Sequence, residues 1–150
     1  MNIDTLDQLK ASVGREIAVT DWIEITQERI NQFADATGDH QWIHVDPARA
    51  VRESPYGTTI AHGFLTLSLV PMFLHETIQL RDVRMGINYG LNRLRFPSAV
   101  RAGDRIRARI LVQSTRDLAG ATEAVFIVTV ELEGSAKPCC VAEMITRQYQ

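Results

Sequence analysis

Residues 60–75 read I-A-H-G-F-L-T-L-S-L-V-P-M-F-L-H, and this stretch decides the fold of the 150-residue chain. From Gly63 to about His75 it predicts a helix that is apolar on nearly every side. Such a helix has to be covered on most sides by the rest of the chain. Pro71 predicts a kink or an interruption in it, because proline lacks an N–H group and crowds the carbonyl four residues earlier.

Four long segments rich in β-branched residues follow this helix and predict strands. They span residues 83–96, 104–117, 122–133 and 139–149. Hairpin-like turns separate them at Ala102-Gly103-Asp104, Leu118-Ala119-Gly120 and Gly134-Ser135. In the second segment a row of four apolar residues alternates with a row that contains three arginines, which indicates one buried face. The first row is Ile106, Ala108, Ile110 and Val112, and the second is Arg105, Arg107, Arg109 and Leu111.

The part of the chain before the central helix predicts shorter elements. A short helix is expected within residues 4–12, a first strand over 17–25, a helix from Thr26 to Gly38, and another from Pro47 to about residue 53. The order is therefore strand, helices, one buried helix and then an antiparallel run of four strands. This order predicts an α+β fold in which a curved antiparallel sheet wraps a central helix, as one domain over residues 1–150.

Composition narrows the class of protein. Hydrophobic residues make up 45% and charged residues 23%, and the net charge is −2, so nothing favours a nucleic acid or an anionic membrane as partner. Cys139 and Cys140 are adjacent and form no disulfide framework, which is typical of a reducing compartment. The first ten residues lack the apolar core of a signal peptide, and the apolar run 64–74 is shorter than the roughly 20 residues that span a bilayer. We expect a cytoplasmic protein.

Titratable side chains crowd residues 38–46, which read G-D-H-Q-W-I-H-V-D. The stretch is expected to be irregular until Asp46, which is the N-cap of the helix that Pro47 starts. From spacing alone, these side chains could bind a metal, move protons or decorate a surface loop. His40 and His44 have the spacing of a zinc-protease helix, but no glutamate follows the first histidine and Asp46-Pro47 ends any helix. We predict no metal and no cofactor.

Three stretches carry a resemblance to a known family. They are F-A-D-A-T-G-D-H-Q-W-I-H-V-D (33–46), A-H-G-F (61–64) and N-R-L-R-F-P-S-A-V-R-A-G-D-R-I-R (92–107). Together they resemble the MaoC-like, (R)-specific enoyl-CoA hydratases and dehydratases, in particular the short members with a single hotdog fold. The resemblance begins near Ile17 and covers nearly all of the chain after it. The family signature is matched at Gly38, Asp39, Ile43, His44 and Asp46, and the chain departs from it at Gln41 and Trp42, where Asn-Pro is usual.

The resemblance implies a reaction and its catalytic groups. The reaction is reversible hydration of a trans-2-enoyl-CoA to an (R)-3-hydroxyacyl-CoA, with an acyl carrier protein as a possible alternative carrier. It makes Asp39 and His44 an acid–base dyad, in which the order of proton transfer stays open. It makes the backbone N–H of Gly63, at the start of the buried helix, the donor to the thioester oxygen. The alternative for Gly63 is a glycine required only for close packing.

Four further residues are candidates for substrate binding: Gln41, Trp42, His62 and Arg95. Gln41 is expected to form hydrogen bonds within its loop, and Trp42 either packs or lines the acyl tunnel. His62 is expected to have a structural role, since the family uses the main chain at this point. Arg95, with Arg101, either attracts the CoA phosphates or belongs to a solvated strand face. For that solvated face the expected partners are Asp104 and Asp117.

Two other functions share this fold. A hotdog thioesterase usually carries a carboxylate on or near the central helix, but residues 63–74 contain none, and Glu76 comes only at the far end. A non-catalytic acyl-binding subunit would not need both Asp39 and His44. Because a single hotdog leaves sheet edges unpaired, we expect a homodimer.

Overall fold

The helices and strands follow the expected order. A computed structural model describes residues 2–150, in which six helices and six strands are assigned. The helices are α1 (Leu6–Ala11), α2 (Gln27–Thr37), α3 (Trp42–Val45), α4 (Pro47–Glu53), α5 (Gly63–Ser68) and α6 (Val70–Thr77). The strands are β1 (Glu16–Val19), β2 (Ile23–Glu24), β3 (Met85–Arg95), β4 (Arg105–Leu118), β5 (Ala121–Leu132) and β6 (Cys140–Tyr149).

The central apolar segment forms two helices, α5 and α6, which meet at Leu69. The interruption lies next to Pro71, as expected, because a proline there cannot donate the hydrogen bond that would continue the first helix. Val70 and Phe73 are fully buried. The expectation of burial on nearly all sides is wrong for one stripe, since Phe64 is 63% exposed and Ser68 is also exposed in the single chain. Within residues 2–150 no helix has the length and apolar character needed to cross a membrane.

The sheet wraps the central helices with one face. The described strands pair antiparallel in the order β1-β4-β5-β6-β3, and β2 also pairs with β4. The expected alternation in β4 is confirmed, because its apolar row is fully buried and faces the core. Phe126 and Val128 of β5 lie opposite Val112 and Ile110 in the register and are buried with them. The antiparallel register thus builds the core that covers α5 and α6.

The first strand is interrupted, which corrects the expectation of one strand over residues 17–25. Val19 pairs with Arg109, and Ile23 pairs with Ile106. Between these two pairs the chain advances four residues in this segment but only three in β4. The extra residue forces the chain out of the ladder between β1 and β2. The Thr20 hydroxyl fills the gap by accepting a hydrogen bond from the Ala108 N–H at 2.9 Å.

The arginines of β4 lie on the solvent face, but their partners differ from those expected. Antiparallel register places Arg107 opposite Glu131, and the two side chains are 2.6 Å apart. Arg105 pairs with Glu133 and Arg109 with Glu16. The expected partners are engaged elsewhere: Asp104 accepts from the Arg101 N–H at 2.9 Å, and Asp117 binds Lys10 at 2.8 Å. Cross-strand neighbours therefore determine these ion pairs, rather than neighbours in sequence.

Strand β3 is an edge strand that leaves a large apolar surface open. It pairs with β6 on one side and is last in the sheet order. Four of its apolar side chains are 40–56% exposed in the single chain: Met85, Ile87, Tyr89 and Leu91. An exposed apolar edge of eleven residues invites pairing with another chain.

Candidate functional site

The stretch 38–46 is more ordered than expected. Gly38 ends α2 in the left-handed conformation with φ of 78°, which a glycine adopts without strain. Four residues later, at Trp42, the one-turn helix α3 begins, which corrects the expectation of an irregular segment. Asp46 then caps α4 as expected, since its carboxylate accepts from the Arg49 N–H at 3.0 Å. The left-handed turn at Gly38 and the short helix α3 lie close together in the chain, so one short segment carries both Asp39 and His44.

His44 lies on α3 with its ring almost fully buried. Its Nδ1 is 2.7 Å from the main-chain carbonyl oxygen of Ile60. A carbonyl oxygen only accepts hydrogen bonds, so Nδ1 carries the hydrogen. In the neutral ring Nε2 then has a free lone pair, which is the form that can take a proton.

The surroundings of His44 favour this neutral form. Burial lowers the pKa of the imidazole, and the neighbouring His62 lowers the pKa further. The hydrogen bond to Ile60 and the charge of Asp39 act in the opposite direction but do not outweigh burial. At neutral pH the ring is therefore available as a proton acceptor.

Asp39 faces His44 from the solvent side. Its side chain is 55% exposed, and its carboxylate accepts from the Gln41 N–H at 3.4 Å. One carboxylate oxygen of Asp39 and one nitrogen each of His44 and His62 lie within 4.8 Å of one another. Two hydrogen bonds of about 2.8 Å each span such a gap through a single water molecule. The arrangement can therefore hold one water between a carboxylate and an imidazole.

His62, a candidate for substrate binding whose expected role was structural, lies against this pair. Its ring stacks on that of His44, with centroids 3.8 Å apart and an angle of 24° between the planes. Its Nε2 is 2.9 Å from the main-chain carbonyl oxygen of Asp39 and 3.9 Å from the carboxylate. The only indication of this contact in the sequence is that His62 directly precedes Gly63. We call Asp39, His44 and His62 the acid–imidazole cluster.

The acid–imidazole cluster has the residue types of a metal site but a poor geometry for one. Lone pairs of an imidazole lie in the ring plane, so two stacked rings point their nitrogens along nearly parallel planes rather than at one ion. The Nε2 of His62 is also engaged by a carbonyl. The other two candidates for zinc, His40 and Asp46, lie outside the cluster. His40 binds Asp35 at 2.9 Å, and Asp46 caps a helix.

Gly63 begins α5 beside the cluster. His62 occupies the N-cap position, and within the described chain no side chain caps the first turn of this helix. A Cβ added to Gly63 would lie 2.9 Å from the ring of Phe96, so close packing requires a glycine here. A cavity of about 270 Å³ reaches this point and is lined partly by Ile60, Gly63 and Phe96. The N–H of Gly63, at the uncapped start of the helix, is thus available to an oxygen near the cluster.

Gln27 is a site residue that the sequence reasoning missed. Its amide nitrogen donates to the main-chain carbonyl of His44 at 2.7 Å, and its amide oxygen accepts from the buried Thr59 hydroxyl. Gln27 therefore ties α2 to α3 and to the segment that leads into α5. It lies far from residues 38–46 in sequence and belongs to no recognisable motif, so sequence alone carries no signal for it.

The remaining candidates, Gln41, Trp42 and Arg95, are not members of the acid–imidazole cluster. Gln41 is exposed, and its main chain makes two contacts within the loop: its N–H donates to the Asp39 carboxylate, and its carbonyl accepts from the His44 N–H at 3.0 Å. Trp42 is half-buried beneath the guanidinium of Arg49, 4.3 Å from the ring centre, which fits the packing interpretation. Arg95 is exposed on β3 and borders a different cavity together with Arg93 and Glu143.

Comparisons with known proteins agree on one family. The sequence model of one protein family, the MaoC-like domain, matches residues 8–134. The chain is 52% identical over 145 residues to 3-hydroxyacyl-thioester dehydratase Z of Mycobacterium tuberculosis, covering 96% of this chain and 95% of the relative. It is 46% identical over 143 residues to nodulation protein N of Rhizobium meliloti, covering 94% and 89%.

A solved structure gives the same fold. The monoamine oxidase regulatory protein from Archaeoglobus fulgius matches with a TM-score of 0.80 at 21% identity, over 100% of this chain and 97% of that one. At this identity the likeness concerns the fold alone. It confirms the α+β, hotdog-type architecture.

The environment of His44 leads to a prediction about its titration. In an NMR titration the His44 ring should have a midpoint below its ordinary value of 6.5, with the hydrogen on Nδ1 in the neutral form. The imidazole of His44 then takes up its proton at a higher pH in the unfolded chain than in the folded chain. Below the ordinary pKa of the imidazole, His44 should therefore lower the free energy of unfolding. His40 is the control, because its hydrogen bond to Asp35 raises its pKa. A His44 midpoint at or above that of His40 would contradict the account.

Proposed function

This chain belongs to the MaoC-like dehydratase family, and we propose that it hydrates trans-2-enoyl thioesters reversibly to (R)-3-hydroxyacyl thioesters. The observation that carries the proposal is the approach of Asp39 and His44 to within 4.8 Å beside the start of α5. The relative from M. tuberculosis is named for the reverse reaction, dehydration of a 3-hydroxyacyl thioester. A catalyst accelerates both directions, so the two descriptions agree. We take CoA as the carrier, with an acyl carrier protein as the alternative.

The proposed chemistry uses one water and two proton transfers. The water held between Asp39 and His44 attacks C3 of the enoyl group and gives one proton to this dyad. The double-bond electrons move toward C2 and the thioester oxygen, and C2 then takes one proton from the dyad. The dyad thus returns to its starting protonation state, and the net change is addition of one water. Each such acid–base contribution typically supplies about 10²–10⁴ in rate.

The thioester oxygen gains negative charge during this step and requires donors. We propose that the N–H of Gly63 supplies one, because it lies in the uncapped first turn of α5 next to His62. Positive partial charge at the start of a helix adds to this effect. The packing of Phe96 against Gly63 supports a second function for the same glycine, which is to keep the ring close to this turn.

The thioesterase alternative finds less support. Residues 63–74 carry no carboxylate, and Glu76 lies exposed in the last turn of α6, away from the acid–imidazole cluster. A thioesterase would release free thiol from the substrate, whereas a hydratase would leave the thioester intact. Measuring both quantities on the same sample therefore separates the two functions.

Replacing either member of the dyad should abolish most of the activity. We expect Asp39→Asn and His44→Asn each to lower kcat for crotonyl-CoA hydration by about 10²-fold or more, because each removes one proton-transfer group. Asparagine at position 44 keeps an amide donor near the place of Nδ1, so the bond to Ile60 has a substitute. The assay is the loss of enoyl absorbance, with thiol release measured in parallel.

His40→Asn is the matched control for these variants. His40 lies in the same stretch but is exposed and bound to Asp35, so its loss should leave kcat near the wild-type value. Near-normal hydration by either dyad variant would overturn the catalytic assignment. Thiol release without loss of the double bond would favour the thioesterase.

We also propose that the protein is a homodimer joined along β3. The outer edge of β3 has main-chain groups to pair, and its four exposed apolar side chains would be covered by a second copy. Phe64, which is also exposed, lies on the helical stripe that the sheet of the single chain leaves open. A two-fold axis next to β3 would join the two sheets and cover both surfaces.

The oligomeric state can be measured directly. Light scattering should give twice the mass of one chain for the wild type. Ile87→Lys should shift the mass toward one chain, because it places a charge on the apolar surface of β3. Val51→Lys is the control, since Val51 is 70% exposed on α4, away from β3. A wild-type mass equal to one chain would exclude the dimer.

A further inference from the structure

We propose that His62 is a positioning residue that holds Asp39 and His44 in the arrangement that hydration requires. The inference rests on the proposed function. It assigns to His62 neither substrate contact nor proton transfer, because the side chain is only 3% exposed and lies behind the other two groups. Its effect would act through three contacts, one to each of the proposed catalytic groups.

The first contact restrains the ring of His44. That ring is fixed at one edge by the bond from Nδ1 to Ile60, which still permits it to tilt about the bond. The ring of His62 covers its face at 3.8 Å between centroids, and this prevents the tilt. Phe33 supports His62 from another side, with ring centroids 5.0 Å apart. The direction of the His44 lone pair is therefore determined by a stack of packed rings.

The second contact restrains Asp39. Asp39 follows the left-handed Gly38, and its own N–H makes only a long contact of 3.5 Å to the Thr37 hydroxyl. The stronger contact is the one from His62, whose Nε2–H donates to the Asp39 carbonyl at 2.9 Å. This bond joins the exposed turn to the buried side of the site. Without it the carboxylate would be attached to a turn that is free to move into solvent.

The third contact is covalent and involves Gly63. The N–H of Gly63 belongs to the same planar peptide group as the carbonyl of His62. That carbonyl accepts from the N–H groups of Leu65 at 3.0 Å and Thr66 at 3.4 Å, which fixes the peptide plane on the first turn of α5. One residue thus relates the proposed oxyanion donor to both members of the dyad.

Packing alone does not explain a histidine at this position. The Nδ1 of His62 is buried and has no hydrogen-bond partner among residues 2–150. A phenyl ring of similar size would fill the same space between Phe33 and His44 without an unpaired nitrogen. What the phenyl ring lacks is the Nε2–H group that binds Asp39. The hydrogen bond, rather than the packing, is the property that distinguishes histidine here.

Two substitutions separate positioning from packing. His62→Phe keeps the aromatic packing and removes the hydrogen bond, so we expect a melting temperature equal to or above that of the wild type. Its kcat for crotonyl-CoA should fall about 10-fold or more, with KM changed by less than about twofold, because the loss concerns orientation. His62→Gln should recover part of kcat, since its amide nitrogen can donate to the same carbonyl. His75→Phe is the control and should keep the wild-type kcat, because His75 is exposed near the end of α6.

A second readout does not depend on activity. In His62→Phe the Gln41 amide, which donates to the Asp39 carboxylate, should exchange its hydrogen with solvent faster than in the wild type. Wild-type kcat in His62→Phe, or unchanged exchange at Gln41, would overturn the inference. If the wild type shows no hydration at all, the proposed function fails. The exchange rate then still decides whether His62 anchors Asp39.

Discussion

Burial of the central apolar helices is the constraint on which the rest of the structure depends. Val70 and Phe73 are removed from solvent by a single antiparallel sheet whose inner row includes Ile110 and Phe126. Burying two large side chains of this kind contributes roughly 2–3 kcal/mol each. The sheet covers most of the helical surface, but Gly63 and Phe64 at the start of α5 stay partly exposed. The start of α5, which no side chain caps, therefore lies at the edge of the core, next to the segment that follows α2.

The site is built on main-chain carbonyls rather than on a network of side chains. Each imidazole of the acid–imidazole cluster donates one N–H to a carbonyl, His44 to Ile60 and His62 to Asp39. Such a bond fixes the tautomer of a ring and restrains the edge that makes it. Gln27 does the same for the backbone, since it binds the carbonyl of His44. The exposed carboxylate of Asp39 and the buried, neutral ring of His44 have different surroundings, which suits them to different parts of a proton transfer.

Much of the fold was predictable because its signals are local. The alternation in β4, the Pro71 interruption and the Asp46 cap each depend on residues close in sequence, and the structure contains all three. The split between β1 and β2 was not predictable, because it depends on a register with β4 that is about 90 residues away. The prediction of ion-pair partners for Arg105, Arg107 and Arg109 was wrong for the same reason. Cross-strand neighbours replaced the nearby aspartates.

Residues of the candidate site show the same difference between local and long-range signals. Asp39, His44 and Gly63 were identified from short motifs, and the structure brings them to one place. The stacking of His62 on His44 and the bonds of Gln27 to His44 and Thr59 join segments that are 17 or more residues apart, so no spacing reveals them. The residues proposed to be catalytic leave a pattern in the sequence, whereas the contacts around them depend on the folded chain.

The central claim is that one water molecule is shared by Asp39 and His44 beside the first turn of α5. A crystal structure at a resolution that shows ordered water tests it most directly. The account predicts one water within hydrogen-bond distance of both the Asp39 carboxylate and the Nε2 of His44, with Nδ1 bound to the Ile60 carbonyl. An Asp39 carboxylate turned toward bulk solvent, with no water common to the two side chains, would contradict it.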